Sequence, residues 1–291
     1  MSDTVAEPRV SVVVPTFNND ETLTRAVASS LSQVQPVHEV LVVDDCSERT
    51  AILDEVAALD PKVKVIRHAR NLGGADARNT GIRAAEGEYI AFLDADDAWL
   101  PHKLRTQLTA LSGASTMTYA ASNCFTSFES DAAVHNARGP LPGEALSHYL
   151  LASDGALQTS TLLVPTPLAR QVGFTPGLKR HQDWDFLLRL EHAGAQLQYQ
   201  EEPLSIYDLS PRPGRISRAD RAVENTVAWF RLMDAHIPTR LMQRYFVDQC
   251  LSRRSARFPA RLLLAASWVA RRDPAHFAQL CWLRARRLAR A

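Results

Sequence analysis

Apolar and polar positions fall in alternating blocks over the first third of the chain. Val10, Val12, Val13 and Val14, stopped by Pro15, leave no polar face and predict a strand buried on both sides of a parallel sheet. After a polar loop over residues 15–19, Leu23, Ala26, Val27, Ser30 and Leu31 recur at helical spacing, predicting a helix from Asn19 or Asp20 to about residue 34. Residues 39–43 form a second strand that runs into Asp44, Asp45, Cys46 and Ser47. A helix over residues 48–59 stops at Asp60 and Pro61, and residues 62–67 supply a third strand. The turn Asn71-Leu72-Gly73-Gly74 opens a helix over 75–85, which Gly87 closes before the apolar stretch 88–93 meets Asp94, Ala95, Asp96 and Asp97. This alternation implies an α/β fold: a mainly parallel, Rossmann-like sheet with right-handed crossovers, flanked by helices.

Beyond Asp97, taken as a cap for the following helix, the pattern predicts a helix over 102–111 and a strand over 116–120. It weakens through residues 125–143. A strand over 158–164, a short helix over 168–172, a helix entered at Asp183, and two edge strands over 196–200 and 204–207 complete this part. Residues 210–214, rich in proline and glycine, read as a linker, and everything after Ile216 reads as helix broken at Pro238, Pro259 and Pro274. The expected organisation is one domain over residues 1–210 and a C-terminal helical, arginine-rich extension over 211–291.

Composition places the chain among globular proteins, with 46% hydrophobic and 22% charged residues in 291. Its net charge of +1 conceals an asymmetry. From Arg253 onward ten arginines face the single acid Asp273, leaving the tail at +9 and the rest at −8. Such a tail suits an anionic surface such as lipid head groups or nucleic acid, or simply a solvated face. Four scattered cysteines fit free thiols in a reducing compartment. Neither a secretory signal nor an apolar run of ~20 residues is present, so the expected location is cytoplasmic, with peripheral contact at the inner membrane face through the tail.

The chemistry lies where apolar runs end. In an open α/β sheet the carboxyl ends of the strands form the ligand crevice, and acids on alternate positions can share a hard cation. A crevice lined by acids alone would repel a diphosphate, so a divalent cation is needed, with Arg78 adding charge-assisted bonds. There is no P-loop and no Gly-x-Gly-x-x-Gly, which argues against kinase and dinucleotide chemistry. Asp45 reads as a turn former ahead of Ser47, and His181 as a loop or acceptor-site histidine. Trp184 suits core packing or a sugar platform equally, and Arg212, Arg215 and Arg218 suit either a closing loop or solvated linker charge.

The segments 11–18 (SVVVPTFN), 43–47 (VDDCS), 71–81 (NLGGADARNTG), 87–97 (GEYIAFLDADD) and 182–185 (QDWD) together resemble a family 2 glycosyltransferase of GT-A fold. The resemblance covers about residues 9–208. It implies inverting transfer of a sugar from a nucleotide diphosphate donor, most often UDP-linked, to a hydroxyl acceptor of a glycan, polysaccharide or glycolipid, with Mn or Mg. Carried over, Pro15, Thr16, Phe17 and Asn18 line the base and ribose pocket, Asp44 bonds the base, and Arg78 contacts the nucleotide. Asp96 is the direct metal ligand; Asp94 serves ribose or metal, with Ala95 between them at the nucleotide. The catalytic base is Asp183, preceded here by Gln182 where the family has Glu; Asp185 is the rival, and Asp183 acting only as a helix cap is the third reading.

Two other classes stay open: an inactive nucleotide-sugar binding or scaffold protein, and a nucleotidyltransferase on a similar fold, which would release pyrophosphate. The expected partners are the donor, a sugar or lipid-linked acceptor, and membrane lipid or a packed surface for the tail, but not nucleic acid. The sequence leaves the oligomeric state open.

Overall fold

The first strand, β1 (Val10–Thr16), carries Val10, Val12, Val13 and Val14 with no exposed surface, so both of its faces must be covered. Burial of each such side chain contributes on the order of 1.5 kcal/mol. In this computed structural model, which describes residues 7–129, 133–136, 138–153, 155, 157–209, 222–250 and 259–288, helices pack on β1 and parallel strands flank both of its edges. These strands are β2 (Glu39–Asp44) and β4 (Tyr89–Phe92); β3 (Val63–Arg67) adds beyond β2. The intervening helices are α1 (Leu23–Leu31), α2 (Ala51–Ala57) and α3 (Gly74–Ala84). α1 starts later than its pattern predicts: Thr22 Oγ1 lies 2.6 Å from Asn19 Oδ1 and 2.7 Å from the Ala95 carbonyl, so Asn19 secures Thr22 rather than capping a helix.

The sheet becomes mixed after β4. A two-residue strand, β5 (Ala98–Trp99), precedes α4 (Lys103–Leu111) and β6 (Thr118–Phe125). The predicted strand 158–164 divides into a 3-10 turn, Thr159–Thr161, and β7 (Leu163–Pro165), followed by α6 (Thr166–Val172); α5 (Leu146–Ala152) comes before them. The strand order is β3-β2-β1-β4-β7-β6-β8-β5, with β7 antiparallel to both β4 and β6. The two edge strands expected after residue 196 are one strand, β8 (Gln196–Ile206), parallel to β6 and paired on its other side with β5. Its register shifts opposite Ser122 and Asn123, where Pro203 interrupts the ladder and divided the sequence pattern.

Two compact units result. One comprises Met1–Gly139, Leu157–Gly177 and Arg189–Ser210 and contains the sheet. The other comprises Pro140–Ala156, Leu178–Leu188 and Pro211–Ala291 and is helical: α5, the first turns of α7 (Gln182–His192), α8 (Ala222–Leu232), α9 (Thr239–Tyr245), α10 (Pro259–Ala270) and α11 (Pro274–Leu288). A π-helical segment, Phe246–Cys250, continues α9. The three prolines expected to break helices sit at helix starts, where a missing N–H costs nothing. The linker 210–214 and Arg212, Arg215 and Arg218 lie outside the described residues.

At the amino edge of the sheet, Glu39 is 2% exposed and accepts from Ser11 Oγ, the Glu86 N–H and Lys64 Nζ at 2.7, 2.7 and 2.9 Å. Burial alone would raise its carboxyl, but the bonds from Lys64, Ser11 and the Glu86 N–H, with the Lys64 charge, outweigh it and hold the group below its usual range. His38, Glu39 and Glu86 bring ligand-type atoms within 4.8 Å of one another. The Lys64 ammonium already supplies the positive charge there, so the cluster reads as a structural clamp.

Gly81 of α3 faces β1 so closely that an added Cβ would stand 2.3 Å from Val13 Cγ1. Gly81→Ala is expected to lower stability by about 2 kcal/mol, and Val13→Ala in that background to restore part of the loss, as read by denaturant unfolding. A group whose folded pKa is depressed stabilises above its unfolded pKa and loses that contribution as pH falls through the folded value. Glu39→Gln should therefore lower the thermal midpoint at pH 7 and flatten its decline below about pH 4.5; an unchanged acid limb would contradict the clamp.

Candidate active site

Three strand ends of the first unit converge at the carboxyl edge of its sheet. β4 stops at Phe92, and residues 94–97 turn, closed by the Asp97 N–H donating to the Asp94 carbonyl at 3.0 Å. Asp97 is fully buried, so its expected role as a cap for the next helix is corrected: β5, not a helix, follows it. Its carboxylate accepts from Ser160 Oγ at 2.6 Å and from the Asp208 N–H at 3.1 Å. Burial, then the nearby charges of Asp96 and Asp94, push the Asp97 carboxyl well above its ordinary range, against the pull of those two bonds. Ser160 Oγ in turn accepts the Asp94 N–H at 2.9 Å, and the Ser160 carbonyl accepts Trp99 Nε1 at 2.8 Å. Arg25 completes the frame, donating to the Asp96 carbonyl at 3.0 Å and pairing with Asp208 Oδ2 at 3.5 Å.

Held in this way, the Asp94 and Asp96 side chains remain half-buried. Arg78 reaches Asp94 from α3, with Nη2 2.5 Å from Oδ1 and its guanidinium over the Phe174 ring at 5.3 Å. The start of α3 is fixed by Asp45, whose carboxylate accepts the Leu72 and Gly73 N–H groups at 2.9 and 2.7 Å and lies 2.7 Å from His68 Nδ1. Asp45 is therefore not a local turn former. Its bonds, with His68 Nε2 2.9 Å from Thr80 Oγ1, tie β2 to the helix that carries Arg78. Gly73, at φ 96°, supplies a backbone conformation that side-chain-bearing residues resist.

The turn former is Asp44. It is fully buried, accepts the Ser47 N–H at 3.1 Å and the Ser47 hydroxyl, and pairs with Arg67 Nε at 3.3 Å. Ser47 Oγ accepts the Asn18 N–H and Asn18 Oδ1 accepts the Glu48 N–H, so the loops after β1 and β2 are laced together. Asn18 adopts a positive φ of 49°, and beside it Phe17, in the loop that follows β1, is 47% exposed. Thr16 is buried, Pro15 is half-buried, and Ala95 is buried between the two acids. The structure thus brings together Pro15 to Asn18, Asp44, Arg78 and the acidic turn on one sheet edge. Ser160, Asp208 and Arg25 were missed because their partners lie far away in sequence; the polar run Gln158 to Thr161 inside a strand-like segment was the available signal.

As a cation site the acidic turn offers two carboxylates, one already shared with Arg78. Hard oxygen donors of this kind fit Mg or Mn when phosphate oxygens and water supply the remaining ligands. Asp97, with both oxygens engaged, does not add a third.

Asp183 belongs to the second unit, in the first turn of α7. It is half-buried, and its Oδ1 accepts the Trp184 N–H at 2.9 Å. Asp185 is fully buried and accepts Trp229 Nε1 at 3.3 Å, which removes it from contact with solvent. Gln182 donates from Nε2 to the Leu178 carbonyl at 2.6 Å, a bond that an ionised Glu could not make. His181, at φ 60°, is buried with its ring 5.0 Å from Trp184 and 4.6 Å from Trp229. Burial, then the Arg180 charge, holds it well below the usual histidine range. It is packing, not an open acceptor-site histidine, and Trp184 joins the same aromatic cluster while remaining half-buried.

Residues 11–136 match the family model described as Glycosyl transferase family 2. The amylovoran biosynthesis glycosyltransferase AmsB of Erwinia amylovora is 28% identical over 244 residues, 81% of each chain. WfgD of Escherichia coli, a UDP-Glc:alpha-D-GlcNAc-diphosphoundecaprenol beta-1,3-glucosyltransferase, is 34% identical over 102 residues, 35% of this chain and 40% of that one. In structure, the chain is similar to S. aureus TarS 1-349 in complex with UDP-GlcNAc, with a TM-score of 0.66 at 19% identity, over 94% of this chain and 83% of that one. The motif order, the mixed sheet and these matches agree: residues 11–136 form a family 2 glycosyltransferase domain, and the chain has the GT-A fold.

Proposed function

We propose that the protein transfers a sugar from a UDP-linked donor to a hydroxyl of a growing polysaccharide or a lipid-linked acceptor, inverting the anomeric centre. The observation that carries this reading is the acidic turn: two half-buried carboxylates, clamped from behind, with Arg78 on one of them. The family-model match over residues 11–136 supports the reaction class. The names of AmsB and WfgD support polysaccharide or lipid-linked chemistry, and the latter's name supports a UDP-linked donor.

Pro15, Thr16, Phe17 and Asn18 receive the base and ribose, with Asp44 beneath them. For Asp44 to bond the base directly, its bonds to Ser47 and Arg67 must open. Arg78 leaves Asp94 for the diphosphate, freeing that carboxylate for ribose or metal, and Ala95 lies against the nucleotide. Asp96 and Asp94 would hold Mn or Mg, which when bound neutralises charge on the departing diphosphate. Asp183 takes the proton from the acceptor hydroxyl as its oxygen attacks the anomeric carbon and the bond to the diphosphate breaks on the opposite face. The domain over residues 1–210 performs this chemistry in the cytoplasm, and the arginine-rich helices beyond it give peripheral contact with the inner membrane face.

Asp183→Asn is expected to lower transfer by about 10²- to 10⁴-fold while donor binding persists; unchanged turnover would remove Asp183 from the base role. Asp96→Asn should raise the Mn concentration needed for half-maximal transfer by tenfold or more, on the order of 1.4 kcal/mol. Release of pyrophosphate instead of nucleoside diphosphate would replace the whole reading with nucleotidyl transfer.

A further inference from the structure

Four arginines of the second unit line one cavity of about 370 Å³: Arg240 and Arg244 of α9, and Arg284 and Arg287 of α11. Two carboxylates answer them. Asp248 lies 3.8 Å from Arg244 Nε and 3.6 Å from Arg284 Nη1, and Asp273 lies 3.4 Å from Arg240 Nε. Arg287 has no carboxylate partner among the described residues, and the buried Nε of Arg284 has no acceptor there. The cavity therefore carries an excess of two positive charges, with unused donors in the planar arrangement that suits a phosphate.

The same cavity is walled by Leu241, Leu280 and Leu283, and Leu283 is 37% exposed. Next to it on α11, Trp282 is 55% exposed, with the Arg286 guanidinium 4.5 Å above its ring. A guanidinium-lined cavity beside an exposed indole and leucine matches the boundary of a bilayer, where charge meets acyl chain. A nucleic-acid backbone would satisfy the arginines but leave the leucine walls facing water. No described helix is long and apolar enough to cross a membrane, so the contact is with the surface.

We infer that this cavity holds the phosphate of an anionic phospholipid head group, with Trp282 and Leu283 entering the acyl boundary beside it. This rests on the membrane contact proposed above and gives that contact a site. Arg240 and Arg287 are both exposed, so replacing them should leave the fold intact.

Vesicle flotation of the full chain tests the assignment without requiring activity. The wild type should float with phosphatidylcholine vesicles doped with phosphatidylglycerol and not with phosphatidylcholine alone. Each arginine near an anionic surface contributes about fivefold, so the double variant Arg240→Gln, Arg287→Gln should lose about 25-fold in partitioning. The control Arg83→Gln, Arg105→Gln, on the first unit, removes the same charge and should lose nothing. If the wild type floats and the Arg240, Arg287 variant floats equally well, the cavity is not the site, although the membrane contact stands. If the wild type floats on neither vesicle, both fall. Thermal stabilisation by inorganic phosphate without flotation, or retention of a DNA duplex without flotation, would reassign the cavity to a soluble anion or to nucleic acid and overturn the lipid assignment.

Discussion

The buried carboxyl of Asp97 is the constraint on which the acidic turn depends. A carboxyl group removed from water must be bonded, and its two acceptors are met by Ser160 from the 3-10 turn and by the Asp208 N–H after β8. Those bonds draw two distant segments onto the turn after β4. Ser160 then fixes the Asp94 amide, and Arg25 fixes the Asp96 carbonyl, so the backbone under both half-buried acids is held from behind. The polar network is thus a frame whose visible product is the placement of two other carboxylates.

A second frame serves the cationic side. Asp45 holds the turn at Leu72 and Gly73, His68 bridges Asp45 and Thr80, and Gly81 lets α3 close against Val13 of β1. Arg78, on the buried face of that helix, is aimed at Asp94 as a result. With the backbone under the anionic and cationic groups positioned by buried bonds, only side chains have to change partners when charge arrives, which favours electrostatic stabilisation.

Much of this was legible in the sequence, for a physical reason: strands buried on both faces read as unbroken apolar runs, and function collects where such runs end. The elements from β1 to β4 and the convergence of residues 15–18, Asp44, Arg78 and Asp94 to Asp96 follow from that rule. What local reasoning misassigned were the acids whose partners lie far along the chain. Asp97 looked like a cap because a helix was expected next, yet its partners are 63 and 111 residues away. Asp45 looked like a turn former because Ser47 is near, but Asp44 takes Ser47 and Asp45 reaches Leu72 and Gly73. β8 was divided because Pro203 and its flanking acids break the alternation, while the ladder absorbs them as a register shift. The arginines of the C-terminal helices were visible as charge, but their gathering around one cavity needed the packing of α11 on α9.

The proposed chemistry requires the turn after β4 to be a metal-assisted site for a nucleoside diphosphate. Isothermal titration of the full chain with UDP, with and without Mn, tests it most directly. Saturable binding that tightens at least tenfold when Mn is present is the predicted result; no binding of UDP or any other nucleoside diphosphate under either condition would contradict it.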